Sequence, residues 1–247
     1  MLCRRPGGGR KSFMESMDKL EGTFEKREPS DKKTEVSPAV IKRLPRYHRY
    51  LGDLIRQDKL RISSAELSRM MGVTASQIRQ DLNCFGGFGQ QGYGYNVKYL
   101  YGKISELLGT TEGYKAVIVG AGNLGRALAA THMFERRGVT RLAMFDVVPG
   151  VVGSEIHGLP VYHVRLLEEF CRTNAVDIAV LTVPKEAAHE VLDVLYRAGV
   201  KGIWNFANME LHSEHENVVV ENIHLGDSLM TLCYEVKVNG LHNGKNG

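Results

Sequence analysis

Cysteine is scarce and scattered: Cys3, Cys84, Cys171 and Cys233 make four, and no two form a C-x-x-C pair. That spacing excludes a zinc-finger type of site and a disulfide framework, and it fits a reducing, cytoplasmic setting. No apolar run comes near the roughly 18 residues that a membrane span needs. Arginines near the N-terminus have no apolar stretch behind them, which is not the pattern of a secretory signal peptide. The histidines show no paired spacing that singles out a general base, and no catalytic constellation emerges. His212 and His215 could be imagined as metal ligands, but a solvated loop explains them better, so no metal is expected. What remains is ordinary for a folded chain. It has 247 residues, 43% hydrophobic and 24% charged, enough for one large domain or two small ones.

A modest net charge of +4 conceals a polarity along the chain. Residues 38–100 hold 10 Lys+Arg against 4 Asp+Glu, whereas residues 101–247 hold 13 against 17. A basic module followed by an acidic one points to a polyanion as partner of the first. Residues 1–36 are polar and aperiodic, too poor in apolar surface to offset chain entropy, and are expected to form a disordered tail.

Order is expected from Ser37-Pro38, a capping side chain followed by proline at the first helical position. Val40, Ile41, Leu44, Tyr47, Leu51 and Leu54 recur at helical spacing, with Pro45 expected to kink or split that helix. In SSAELSRMMGVTASQIRQDL, Ser63 with Glu66 and Thr74 with Gln77 each fit a capping box. The two short helices they start, joined by a turn at Gly72, match helix-turn-helix spacing. Ser76, Gln77, Arg79, Gln80 and Asn83 fall on the outward face of the second helix, where base edges and phosphates are read. FGGFGQQGYGYNV follows, its aromatics alternating with glycines. A tight hairpin in that place is the wing of a winged helix.

The second half alternates strand and helix. AVIVGAGNLGRALAA carries G-x-G-x-x-G at Gly120, Gly122 and Gly125 between an expected strand and helix. The glycines allow a tight turn, close approach of a pyrophosphate and close helix packing in turn. The strand RLAMFD ends in Asp146, 21 residues after Gly125, where an acid holds a ribose 2′-hydroxyl and favours NAD over NADP. Thr182, Val183 and Pro184, and Asn205 with Phe206 and Ala207, follow later strands and are candidates to border a nicotinamide. The helix DSLMTLCYEVKV has an apolar face (Leu229, Leu232, Cys233, Val236) that must be buried either on its own core or on a partner subunit. A dehydrogenase would need a substrate domain beyond this half, and the chain has no room for one. A nucleotide-like ligand other than NAD(H), such as coenzyme A, and an NAD-dependent oxidoreductase stay open as alternatives.

An ordered series of stretches (RLPRYHRYL, SSAELSRMMGVTASQIRQDL, FGGFGQQGYGYNV, VGAGNLGRALA, VLTVPKEAA, GVKGIWNFAN and VENIHLGDSL) resembles the Rex family of redox-sensing transcriptional repressors, from about Ser37 to Val238. The resemblance implies an α/β chain: a winged helix over 37–97, a Rossmann domain over 98–225, and a C-terminal segment, 226–247, whose helix is swapped between subunits. It implies a cytoplasmic homodimer that binds palindromic double-stranded operator DNA when NADH is low and releases it when NADH binds. NADH and NAD⁺ act as regulatory ligands, with no enzyme activity and no membrane. By position, Arg43, Ser64, Gln77, Arg79 and the wing tip Gln90-Gln91 would face DNA, alongside Ser76 and Gln80. Gly120, Gly122, Asn123, Leu124, Gly125, Asp146, Thr182, Val183, Pro184, Asn205, Phe206 and Leu225 would surround the nucleotide. The chain departs from the family at Gln80, Gln90 and Gln91, where basic residues are usual. Each lost phosphate contact weakens binding and flattens its salt dependence. It departs again at Thr131, Asn208 and His224-Leu225, which belong to the segments that couple nucleotide to DNA.

Overall fold

The computed structural model describes residues 36–83, 89–90 and 93–243, with the backbone alone at 89–90 and 241–243. The expected tail up to residue 35, the aromatics Phe85 and Phe88, and Gln91 lie outside the described residues.

Helix α1 (Pro38–Arg56) starts at Ser37, whose hydroxyl accepts the Val40 N–H. It runs through Pro45 as one element, so the proline does not split it. The missing N–H would have served the Ile41 carbonyl, and Ile41 is exposed, so water can take the donor's place. Buried Leu44 and Tyr47 anchor the helix on either side. Strand β1 (Arg61–Ile62) leads to α2 (Ser64–Met71), capped by the Ser63 hydroxyl and closed by left-handed Gly72. Helix α3 (Ala75–Asn83) starts with the Gln77 N–H donating to the Thr74 hydroxyl. Strands β2 (Gly89–Gln90) and β3 (Gly94–Asn96) form an antiparallel sheet with β1, in the order β1-β3-β2.

Gly94 is the fixed point of that wing. Its φ is +68°, and a Cβ there would lie 2.5 Å from the Ile62 carbonyl oxygen. Gly94→Ala should therefore cost about 1–3 kcal/mol, read as a lower urea midpoint by circular dichroism. An unchanged midpoint would mean that the wing is not pinned to β1.

Helix α4 (Val97–Leu107) buries Val97, Leu100 and Ile104 in the same cluster as Leu51, Leu82 and Tyr95. By packing, α4 thus goes with the basic half, across the expected division at 97/98.

The second half is a seven-stranded sheet of β4 (Tyr114–Val119), β5 (Val139–Asp146), β6 (Glu155–Ile156), β7 (Leu159–His163), β8 (Ile178–Leu181), β9 (Gly202–Asn205) and β10 (Val219–Asn222). The order is β10-β9-β8-β4-β5-β7-β6, parallel except for the β6 edge. Without β6, this is the doubly wound dinucleotide-binding order, reversing between β4 and β8. Helices α6 (Leu167–Asn174) and α7 (Lys185–Arg197) cover one face, burying Val117, Phe145, Leu181, Leu192 and Leu195. On the other face α5 (Asn123–Ala129) and a short turn of 3₁₀ helix cover only β4, β5 and their neighbours.

The last helix, α8 (Leu225–Asn243), lies on neither face. Leu225, Leu229, Met230, Leu232, Tyr234 and Val236 are all more than half exposed. Within the single chain its apolar side is therefore not packed on its own core. Among the described residues no helix is long and apolar enough to cross a membrane.

Candidate DNA-binding face and nucleotide cleft

Helices α2 and α3 bring the first group of expected residues together. Ser76, Arg79 and Gln80 are exposed on α3, and the Arg79 Nη1 donates to Ser64 Oγ on α2 at 3.2 Å. Gln90 has its backbone in strand β2. Arg43 and Gln77 sit differently from a simple outward-facing pair, because both turn to a buried carboxylate. Asp81, 1% exposed, accepts Arg43 Nε on Oδ2 at 2.8 Å and Arg43 Nη2 on Oδ1 at 2.7 Å. Tyr47 Oη donates to Oδ2 at 2.9 Å and Gln77 Nε2 to Oδ1 at 2.8 Å. Sequence reading passed over Asp81, since an acid on a DNA-facing helix gives no helical-face or motif signal.

Burial pushes the Asp81 carboxyl up, but hydrogen bonds from Arg43, Gln77 and Tyr47 outweigh it and hold the group below its ordinary value. A folded-state value below the unfolded one, about 3.9, means that the unfolded chain takes up the proton first. The stabilisation is present above about pH 4 and lost as pH falls through the folded value. The gap in urea midpoint between wild type and Asp81→Asn should stay constant from about pH 7 to 5 and shrink below about pH 4. A gap that persists undiminished at pH 3 would contradict this.

The second site opens at the C-terminal ends of β4, β5 and β8, as a cavity of about 710 Å³. Gly120, Gly122, Asp146, Thr182, Val183 and Pro184 line it. Two of the three glycines are required by the chain itself. Gly120 has φ +103°, and a Cβ there would meet the Thr182 carbonyl oxygen at 2.6 Å; at Gly125 it would meet the Gly120 carbonyl oxygen at 2.0 Å. Gly122 differs: its φ of −75° suits any residue, and among the described residues a Cβ would meet nothing within 4 Å. Neither packing nor backbone geometry asks for glycine there, whereas close approach of a phosphate group does. The chain therefore fits a dinucleotide. The helix start beside Gly122 has no side-chain cap.

Asp146 accepts the N–H groups of Ala121 (2.6 Å), Val147 (2.7 Å) and Val148 (2.9 Å). These bonds fix the carboxylate at the cavity wall next to the glycine turn. Thr182 donates its hydroxyl to the Gly120 carbonyl at 2.8 Å, which ties β8 to that turn. Asn123 is exposed and Leu124 half-buried at the start of α5.

Asn205 and Phe206 do not line this cavity. Asn205 is fully buried, and its amide is committed inside the chain: Nδ2 donates to Met209 O and Asn222 Oδ1, and Oδ1 accepts the Ala207 N–H. Its side chain is a strut for the loop after β9. Phe206 packs edge-on against Trp204. Leu225 stands exposed at the start of α8, and the preceding His224 bonds Glu210 at 3.1 Å. Val147, Val148, Val164, Arg165, Glu168 and Arg197 also line the cavity and were not singled out from sequence. The rule that ligands meet strand C-termini would have found the first four, which follow β5 and β7. Among the described residues no cluster of three or more His, Cys, Asp or Glu could hold a metal ion.

Known proteins carry both halves. A family model described as "Putative DNA-binding protein N-terminus" matches residues 35–83, and one described as "CoA binding domain" matches residues 111–209. The Clostridium tetani protein named redox-sensing transcriptional repressor Rex is 51% identical over 204 residues, 83% of this chain and 96% of its own. The Clostridium kluyveri protein of the same name is 52% identical, over 82% of this chain and 96% of its own. The chain belongs to the Rex family. Among solved Rex structures, RSP in complex with beta-NAD+ and operator DNA superposes with a TM-score of 0.78 at 49% identity, over 86% of this chain and 99% of that one. RSP in complex with beta-NADH gives 0.77 at 46% identity. Rex proteins are named as repressors, so the oxidoreductase alternative falls away.

Proposed function

We propose that this chain is a cytoplasmic transcriptional repressor that reads the NADH/NAD⁺ ratio, holding palindromic operator DNA when NADH is low and releasing it when NADH binds. The observation that carries this reading is the pairing of a wing and recognition helix with a glycine turn whose middle member, Gly122, is explained only by a ligand. Asp146 favours NAD(H) over coenzyme A. A free ribose diol can donate to its carboxylate, whereas the ribose phosphate of coenzyme A or NADP would be repelled by it.

Two copies account for α8. Among the described residues no helix covers the sheet face over β9 and β10, and an apolar cleft of about 500 Å³ opens there between Met133, Phe134, Val139, Trp204 and Val219. An α8 swapped from a second copy fits that cleft and buries its own apolar side chains, each worth about 1.5–3 kcal/mol.

NAD⁺ has a cationic nicotinamide and NADH a neutral one, so an apolar site at the subunit boundary prefers NADH. If NADH favours a closed dimer, the recognition helices lose the roughly 34–36 Å spacing of half-sites one turn apart. A tenfold change in operator affinity needs only about 1.4 kcal/mol of coupling. Fluorescence anisotropy on DNA from its own promoter, with NAD⁺ fixed and NADH titrated, should show release at low NADH:NAD⁺ ratios. Tight binding indifferent to NADH would overturn the redox reading.

A further inference from the structure

We propose that Asp81 is a positioning residue for operator recognition, which fixes the direction in which the Gln77 amide meets a base. This rests on the reading that Gln77 faces DNA. Four donors converge on the carboxylate, two on each oxygen, which is about the full acceptor capacity of the group. Three of those donors come from α1, so the carboxylate cannot turn without breaking its bonds to Arg43 and Tyr47. It is ionised at any pH near neutrality, since its hydrogen bonds outweigh burial.

An ionised carboxylate only accepts. The atom of Gln77 that faces Asp81 must therefore be Nε2, and the amide cannot flip. Among the described residues, its second N–H and its carbonyl oxygen have no partner. A free glutamine presents donor and acceptor interchangeably; this one presents them in a single order. A bidentate amide contact needs such an order, because adenine offers a donor and an acceptor at adjacent fixed places in the major groove. The same carboxylate holds the recognition helix to α1 through Arg43, so helix placement and amide direction depend on one group.

The test is a double-mutant cycle on the full chain with Asp81→Asn and Gln77→Ala, read as operator affinity over a panel of single-base-pair substitutions. Gln77→Ala should reduce discrimination at one position by roughly 10-fold or more. Asp81→Asn should reduce it at that same position, leave the ratios elsewhere unchanged, and add little once Gln77 is alanine. Thermal unfolding and NADH binding by the variants monitor folding. Asp81→Asn weakening all sequences equally, and additively with Gln77→Ala, would overturn the proposal and leave Asp81 a structural residue. Gln77→Ala without effect on preference would overturn it at its premise. A measurement free of variants decides the matter if Asp81→Asn does not fold. In the wild-type protein the Gln77 side-chain amide proton held by Asp81 should exchange with solvent markedly more slowly than its geminal partner, as read by NMR. A mobile, rapidly exchanging amide would refute the clamp.

Discussion

Gly122→Val should give a folded protein that is deaf to NADH. At this position a side chain enters open space, so thermal unfolding should stay within about 2 °C of wild type, as for a surface change. The space is where, on the proposed reading, a pyrophosphate would come against the backbone. Filling it should weaken NADH binding roughly 10- to 100-fold, the effect of overpacking a close contact by about 1–3 kcal/mol. The variant should then stay on operator DNA at NADH concentrations that release wild type. Gly120→Val and Gly125→Val are the contrast: their Cβ atoms run into the Thr182 and Gly120 carbonyl oxygens, so both should lose stability as well as ligand. Titration calorimetry with NADH and the anisotropy assay measure the two effects. Wild-type affinity in Gly122→Val would remove the main structural reason for placing a phosphate there.

The double substitution Leu229→Asp and Leu232→Asp should convert a dimer to single chains. Both side chains are exposed within one subunit, so nothing in the isolated fold is lost by changing them. In a swapped dimer each would bury a carboxylate in an apolar cleft with no partner, and the group would resist ionisation at several kcal/mol of cost. Two half-sites bound together gain roughly 100-fold or more over one. Operator affinity should fall by about that factor while NADH still binds, if more weakly. Light scattering after gel filtration measures the first effect and anisotropy the second. A dimer that survives both aspartates would show that subunits meet through another surface.

Much of the fold is legible because its signals are local. Ser37-Pro38, Ser63 with Glu66, and Thr74 set helix starts through atoms three residues apart, and the structure has those caps. Strand endings at Val119 and Asp146 are marked by the glycine loop and by the acid 21 residues beyond it. Those patterns determine the winged helix, the dinucleotide-type sheet and the place of the nucleotide cleft. They also determine that α8 has an apolar side in need of cover.

Three decisions were made only by tertiary structure. Helix Val97–Leu107 is amphipathic whichever half it joins, and burial of Leu100 and Ile104 beside Leu51 and Leu82 assigns it to the DNA-binding unit. Asn205 sits at a strand end suited to a ligand, yet Met209, Asn222 and Ala207 use up its amide. Asp81 reads as a surface acid on a polar helix until Arg43 and Tyr47, 38 and 34 residues away, close over it. The physical reason is common to all three. Periodicity and capping depend on neighbours in the chain, whereas the partner of a polar side chain depends on which distant element the core brings against it.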